Sequence, residues 1–487
     1  MWEADTDEMR DILAQFVTED RCRQRQNCRS VVFPTESDND ESIKCVQIKR
    51  FRKTRNASLI LNDFEVTALP QVEAKPCPLY EEFGSKYFLL LQFEKSCRQV
   101  VVEIKSAVVK SGLWVKVGHK ATSTHYKFFG HSPTQLRSRH CVLYSTDLES
   151  QHGSYEQILA KFGTFSMNNV SKRASRIGLL LSSAVPAVLL NDAQIVEIED
   201  IEHDNFNFTD GCGLISPDIA AKITVYPYPH QYEQQVHQFP SVYQIRFKGC
   251  KGTLMLDETL TNKIALRKSL IKFTWNPEKT QNQLRIVEDG KAVSFPNCYS
   301  LLNLQYIRLL STLGVPDDVF LRKLDTYFEE LSRILHDQEV QVRYLCAYRR
   351  YDLAERILTT NSVNKETLRV LKGYQMTCRM QKPRKSRSER TFGDKTNKTR
   401  QEKIKVKFPL DQCRLVFGVA DTSRQLEYGC CYFQPTIRGK PTVLEGNQVV
   451  VAKSPSYHVG DIRVLECVNI PECRHLVDCL VFPVNGK

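Results

Sequence analysis

The chain has 487 residues, with 68 Lys and Arg against 56 Asp and Glu, and a formal net charge of +12. Its 41% hydrophobic and 25% charged residues exclude a wholly disordered, collagen-like or membrane-embedded chain, and at about 150 residues per domain the length predicts roughly three domains. The charge is uneven: from Lys382 to Lys407 eleven basic and three acidic residues give 11 − 3 = +8, leaving 12 − 8 = +4 for the rest.

The N-terminus, Met1 to Asp7, is acidic where a secretory leader is basic and then apolar. Seventeen cysteines, an odd number with no CxxC pair, predict reduced thiols in cytosol or nucleus. Short strand-like runs follow at Val46–Phe51, Tyr87–Phe93 and Val100–Val109, with an acidic solvent loop at Glu36–Ser42. Tyr155–Ser182 has helical spacing through Ile158, Leu159, Phe162, Ile177, Leu180 and Leu181. The longest apolar stretch, Ile177–Leu190, is interrupted by Ser182, Ser183 and Pro186 and is too short to cross a bilayer. From Asp192 to Ser300 the pattern is β-rich, with a strand-turn-strand at Tyr243–Leu256. Leu301–Gly373 is helical, with Leu321, Leu324, Phe328, Leu331 and Leu335 as its apolar face, opened at Pro316-Asp317-Asp318. Gln381–Lys403 reads as a solvated basic loop, and Lys382–Arg387 within it as a nuclear address, a phosphate contact or incidental surface charge. Strands then resume at Leu415–Val419, Tyr428–Phe433, Gln448–Lys453, Ile462–Val468 and Cys479–Val484.

Chemistry alone carries little. Cys467, Cys473, His475 and Cys479 lack the two close ligand pairs of a structural zinc site, so no metal is expected there. Cys430-Cys431 reads as a packed thiol pair on a strand. Gly249-Cys-Lys251-Gly252 allows close approach of a phosphate with one lysine as counter-charge, but from the residues alone a plain hairpin turn with a solvated lysine is the better reading. Asp5-Thr-Asp7 and Asp38-Asn-Asp40 sit in polar contexts that would not fix two metals. No GxxxxGK[ST], GxGxxG or GxSxG occurs.

The order of short motifs says more. Phe128-Phe-Gly-His-Ser132 with Gln135-Leu-Arg137, then Asn169 to Leu179, then Phe208-Thr-Asp-Gly-Cys-Gly213 with Ile215-Ser216, open the series. Tyr243-Gln-Ile-Arg246, Gly249–Gly252, Arg267-Lys-Ser269, Lys272-Phe273, Leu302-Asn-Leu-Gln305 and Leu313-Gly-Val315 continue it. Gly418-Val-Ala-Asp421, Leu426-Glu-Tyr-Gly429, Lys453-Ser-Pro455, Gly460-Asp-Ile-Arg463 and His475-Leu-Val-Asp478 close it. In this order, from Phe128 to Lys487, the chain resembles the cellular RNA-dependent RNA polymerases of RNA silencing, which copy single-stranded RNA into double-stranded RNA. Where that family usually has Asn-Pro-Cys, His-Pro-Gly-Asp and Leu-Asn-Arg-Gln, this chain has Ser454-Pro-Ser456, His458-Val-Gly-Asp461 and Leu304 in the arginine position.

The resemblance implies a mixed α/β (α+β) fold of two double-psi β-barrels joined by a helical region, the second barrel incomplete. The implied division is an N-terminal region 1–125, a first-barrel core 126–300, a helical connector 301–380, a basic loop 381–406 and a second barrel 407–487. It implies Lys251 and Lys272 facing nucleotide and RNA phosphates, with Arg246 and Arg267 as neighbours, and Lys453, His458, Asp461 and Arg463 on the second barrel. Implied partners are single-stranded RNA, ribonucleoside triphosphates and Dicer- or Argonaute-type proteins, in cytoplasm or nucleus. The family's magnesium ions are held by an Asp-x-Asp-Gly-Asp loop expected shortly after Val481–Lys487, and no such motif occurs in these residues. The expectation is therefore a polymerase truncated before its metal loop and inactive as an isolated chain, with an inert RNA-binding or scaffold derivative as the alternative.

Overall fold

A computed structural model of the chain describes residues 31–33, 42–50, 64–93, 113–117, 123–165, 168–223, 239–278, 282–287, 299–347, 350–381, 407–437 and 440–485. The chain divides into two compact units, 1–183 with 273–279, and 184–272 with 280–487. The run Val100–Val109, the loop residues 36–41 and the basic segment 382–406 lie outside the described residues.

The first unit carries a seven-stranded sheet in the order Val31–Phe33, Leu113–Val117, Ser123–Gly130, His140–Ser145, Phe88–Phe93, Ser42–Arg50, Phe64–Glu73. Its core gathers Phe88, Phe129, Tyr144, Phe162 and Phe273, with Phe165 stacked on Phe273 at 4.4 Å between ring centroids. The helical spacing of Tyr155–Ser182 is divided between two helices. Helix Tyr155–Ala160 ends before a two-residue strand, Gly163–Thr164, and helix Val170–Ile177 restarts from Asn169, whose side chain accepts the Lys172 N–H. The cause is Gly163, at φ 143, against which Thr274 and Trp275 pair so closely that a Cβ would lie 2.0 Å from the Thr274 carbonyl.

In the second unit the strands are β1 (Ala184–Leu190), β2 (Ile195–Ile198), β3 (Cys212–Ile215), β4 (Val242–Phe247), β5 (Cys250–Leu256), β6 (Ile264–Arg267) and β7 (Asn282–Val287), forming a sheet in the order β2-β6-β3-β5-β4-β7-β1. Pairs β2–β6 and β3–β5 are parallel, and β6–β3, β5–β4, β4–β7 and β7–β1 antiparallel. The expected Tyr243–Leu256 hairpin is β4–β5. Its two-residue turn has Lys248 at φ 39 and Gly249 at φ 78, the left-handed geometry that lets a tight turn follow the strand twist. The five C-terminal runs form β8 (Phe417–Ala420), β9 (Cys430–Phe433), β10 (Gln448–Ala452), β11 (Ile462–Cys467) and β12 (Cys479–Phe482), a sheet ordered β8-β12-β9-β11-β10. Here β8–β12 and β9–β11 are parallel, β12–β9 and β11–β10 antiparallel.

One core joins these sheets: Tyr243, Ile245, Leu254 and Leu284 of the first pack in a cluster with Tyr432, Cys479 and Val481 of the second. Each fully buried aliphatic side chain contributes about 1.5–3 kcal/mol. The Ser241 hydroxyl adds a polar tie, accepting the Val477 N–H at 2.8 Å. Helices Leu304–Thr312, Asp317–Arg333, Gln338–Ala347, Tyr351–Thr360 and Lys365–Gln381 fill the expected helical region. Four residues of the expected stripe belong to their core, Leu331 within it and Leu324, Phe328 and Leu335 packed against it, together with buried Phe320 and Tyr327; Leu321, 60% exposed, does not. Cys431 packs not with its sequence neighbour but with Cys467 across β9–β11, Sγ to Sγ 3.6 Å, because adjacent strand residues face opposite sides.

Candidate nucleic-acid interface

The polar face of β4, β5 and β7 is where the cations collect. Alternation buries Tyr243, Ile245 and Phe247 on one side of β4 and leaves Gln244 and Arg246 on the other. Register places Arg246 directly opposite Lys251 of β5 and opposite Arg285 of β7. Directly opposed side chains share a face with Cβ atoms about 4.5–5.5 Å apart, and like charges in that relation are destabilising. All three are half-buried. The Arg246 Nη1 donates to the Ile245 carbonyl at 2.7 Å and the Arg285 Nη1 to the Ala184 carbonyl at 3.4 Å. Burial pushes the Arg246 guanidinium down to about 10, still charged at neutral pH.

The motif turn 208–213 abuts this row. Gly252 must lack a side chain, because a Cβ there would stand 2.0 Å from the Gly211 carbonyl. That carbonyl accepts the Thr253 N–H at 2.8 Å. Asp200 organises the turn: its Oδ1 accepts from the Ser269 hydroxyl (2.6 Å) and the Thr209 hydroxyl (3.0 Å), and its Oδ2 from the Ser269 N–H (3.0 Å). The Ser269 Oγ in turn accepts the Gly211 N–H at 2.9 Å. Burial alone would raise the Asp200 carboxyl; the Ser269 and Thr209 hydrogen bonds outweigh it and hold it below the usual value. Lys272 sits beside the same turn. Its Nζ donates to the Ser269 carbonyl and lies 4.0 Å from Asp210 Oδ1, while its N–H donates to the Gly249 carbonyl at the hairpin tip, 3.0 Å.

Arg267 is placed otherwise. Only 4% exposed, it donates from Nε to the Cys212 carbonyl at 3.0 Å and from Nη1 to the Glu199 carbonyl, so its guanidinium fastens backbone to backbone. Lys453, His458, Asp461 and Arg463 form a second group on the loop from β10 to β11. Asp461 Oδ2 accepts the N–H groups of Tyr457 (2.9 Å) and His458 (3.2 Å), and these backbone bonds hold its carboxyl below the usual range. His458 Nδ1 accepts from Gly460 at 3.0 Å, and Lys453 Nζ stands 3.9 Å from Asp461 Oδ1. Gln305 Nε2, donating to the Ser456 carbonyl, and the Tyr306 hydroxyl, donating to the Lys453 carbonyl at 3.2 Å, anchor the loop to helix Leu304–Thr312. Arg463 is exposed on β11, opposite Val451.

Chemically, such an arrangement can hold phosphate: cations on a half-buried face, where the lower local dielectric strengthens attraction, beside a glycine turn that admits close approach. The carboxylates do not fit a divalent metal. Asp421 accepts from Ser423 N, Ser423 Oγ and Leu426 N at 2.9, 2.5 and 2.8 Å, and Asp478 from Thr436 N and Oγ1 at 2.8 and 2.7 Å. Among the described residues no three His, Cys, Asp or Glu side chains gather as a metal site. Two residues of the interface escaped the sequence reading, Asp200 and Arg285. The alternation Gln283, Leu284, Arg285, Ile286 marks Arg285 as the polar face of a strand; nothing in sequence marks Asp200, whose role is a long-range contact.

Comparison with known proteins agrees with the motif order. The family profile described as RNA dependent RNA polymerase matches residues 65–487, beginning upstream of the first motif at Phe128. The probable RNA-dependent RNA polymerase SHL2 of Oryza sativa subsp. japonica is 30% identical over 387 residues, covering 74% of this chain and 29% of that protein. RNA-dependent RNA polymerase 6 of Arabidopsis thaliana is 31% identical over 396 residues, covering 76% and 30%. The chain thus spans less than a third of the length of these relatives. The solved structure of RNA dependent RNA polymerase QDE-1 from Thielavia terrestris superposes with a TM-score of 0.60 at 16% identity, over 99% of this chain and 56% of that one. The chain, a mixed α/β protein, belongs to the RNA-dependent RNA polymerase family.

Proposed function

We propose that this chain is the template- and nucleotide-holding part of an RNA-directed RNA polymerase of the silencing type, one that makes double-stranded RNA from single-stranded templates and ribonucleoside triphosphates. The observation that carries the reading is the row Lys251–Arg246–Arg285 beside the Gly211 turn. Three cations on one half-buried strand face create a local positive potential that attracts a polyanion, beside a glycine turn that admits its close approach. In this reading the two sheets of the second unit are two double-psi β-barrels; the recurrence of parallel and antiparallel neighbours in both supports it. Lys251, Arg246 and Arg285 hold phosphates, Lys272 positions its Nζ beside the turn, and Lys453, His458 and Arg463 offer a second, more exposed set. Arg267 orders β3 and the Asp200 turn rather than touching substrate.

Magnesium would supply transition-state charge stabilisation in the whole enzyme. Since the carboxylates described here do not fit it, no step of the reaction is assigned to them. That observation favours a second reading, an RNA-binding derivative without catalysis. In the test, Lys251→Ala weakens single-stranded RNA binding about tenfold, equivalent to about 1.4 kcal/mol, with the thermal midpoint retained. Wild-type affinity would remove Lys251 from the site. Incorporation of labelled ribonucleotides on single-stranded RNA with magnesium, measured on a longer protein that carries this chain together with an Asp-x-Asp-Gly-Asp loop, separates the readings: incorporation supports the enzyme, and binding without incorporation the inert derivative.

A further inference from the structure

Two sequence blocks that the polymerase reading leaves unused, Phe128–Ser132 and Asn169–Leu179, meet in the first unit. A Cβ at Gly178 would lie 2.5 Å from the His131 carbonyl, and one at Gly130 would touch Ile177 and Leu181 at 3.8 Å. The contact seats helix Val170–Ile177 with Ile177 buried and Val170, Ser171, Lys172, Ala174 and Ser175 exposed.

The three cations of this helix are treated differently. Arg173 is engaged: its Nη2 donates to both Glu156 oxygens at 2.9 and 2.7 Å, and its Nε to the Phe165 carbonyl at 3.2 Å. Lys172 and Arg176 stand four residues apart, hence one above the other on one face. Among the described residues neither has an acidic partner, and the buried Arg176 Nε makes no hydrogen bond. Like charges at this spacing destabilise a helix by about 0.2–0.5 kcal/mol. Lys172 is also third after the Asn169 cap, whose Oδ1 accepts its N–H at 2.8 Å. At that position the helix dipole and the capping box favour a glutamate, so a lysine has the wrong sign. The cap and the Arg173–Glu156 pair obey the local rules and the two remaining cations break them, as expected where a ligand completes the site.

We propose that helix Val170–Ile177 is a separate docking surface for an RNA sugar-phosphate backbone, with Lys172 and Arg176 each meeting a phosphate and the Ser171 and Ser175 hydroxyls as further donors. The helix has no aromatic residue on which a base could stack, so the contact is indifferent to sequence. The inference rests on the polymerase reading only in choosing RNA as the polyanion.

The experiment measures fluorescence anisotropy of the 487-residue chain with a labelled mixed-sequence single-stranded RNA, and with the matching duplex, across a salt series. Lys172→Glu flattens the slope of log affinity against log salt for single strands by about 0.7, and Lys172→Glu with Arg176→Gln by about 1.4. Lys172→Glu also leaves the thermal midpoint unchanged or raises it, because the glutamate suits the helix start, and Lys172→Arg retains binding. If the wild-type chain binds RNA and Lys172→Glu binds both RNAs with unaltered affinity and slope, the surface is refuted while the Lys251 site stands. If the wild-type chain binds neither RNA, both fall.

Discussion

In the seven-stranded sheet of the second unit three cations stand opposite one another on a half-buried face; in the five-stranded sheet and its flanking turns the buried charges are carboxylates, each closed by hydrogen bonds from its own neighbourhood. The strand grammar of the two is similar, parallel neighbours interleaved with antiparallel ones. What differs is the sign of the charge and how far it is buried. Asp421 and Asp478 accept hydrogen bonds inside the folded chain, so their loss should be felt as stability. In the proposed reading the Lys251–Arg246–Arg285 row faces phosphate, so its loss should be felt as binding.

The largest effect that could break this contrast is Asp421→Ala. It leaves the Ser423 and Leu426 N–H groups without their acceptor in a site 1% exposed. Unfolding in urea should show a loss of about 2–3 kcal/mol, mostly from the buried Leu426 N–H, since a buried donor stranded in this way costs about 1–3 kcal/mol. An equal stability loss in Lys251→Ala would erase the distinction between the two sheets.

Asp200→Asn sharpens it with a smaller effect, about 1–2 kcal/mol at neutral pH from weakened hydrogen bonds to a charged acceptor. The folded carboxyl lies below its ordinary value because the Ser269 and Thr209 bonds outweigh the burial that would raise it. Its stabilisation is therefore full above the unfolded value of about 3.9 and disappears as pH falls through the folded one. Urea titrations of both proteins from pH 7 downward should show a gap that narrows progressively below about pH 3.9. A gap that stays constant as far into acid as both proteins remain folded would mean the turn is held by shape rather than by this charge.

How much of this was legible in sequence follows from the range of the contacts. The β4–β5 hairpin and all five C-terminal strands are local patterns, and each was found close to its predicted limits. The helical spacing of 155–182 did not show its interruption, because Gly163 is claimed by Thr274 and Trp275, more than a hundred residues on. Leu321 was misassigned because Phe320 and Tyr327 supply a larger buried stripe one residue round the helix. Lys251, Arg246 and Lys272 stand out in sequence through their motif; which of them share a face depends on register. Arg267 has the composition of a phosphate ligand and the placement of a clamp, a distinction only burial reveals. Asp200 was invisible for the same reason, since the partners that hold it include Thr209 and two atoms of Ser269, brought to it by the fold.

The smallest effect tests whether the β10–β11 loop belongs with the solvated or the internally closed charges. Lys453 Nζ and Asp461 Oδ1 are 3.9 Å apart, with the lysine side chain 71% exposed. Asp461 takes its acceptor bonds from the Tyr457 and His458 backbone, and these, ahead of Lys453, hold its carboxyl below the usual range. Lys453→Ala should therefore cost less than about 0.5 kcal/mol, as exposed pairs do. Even that should vanish near 1 M salt, where the screening length is about 3 Å. A loss above about 1 kcal/mol that survives 1 M salt would place Lys453 with the closed charges of Asp421 and Asp478, and would leave Arg463 as the exposed cation of this group available to RNA.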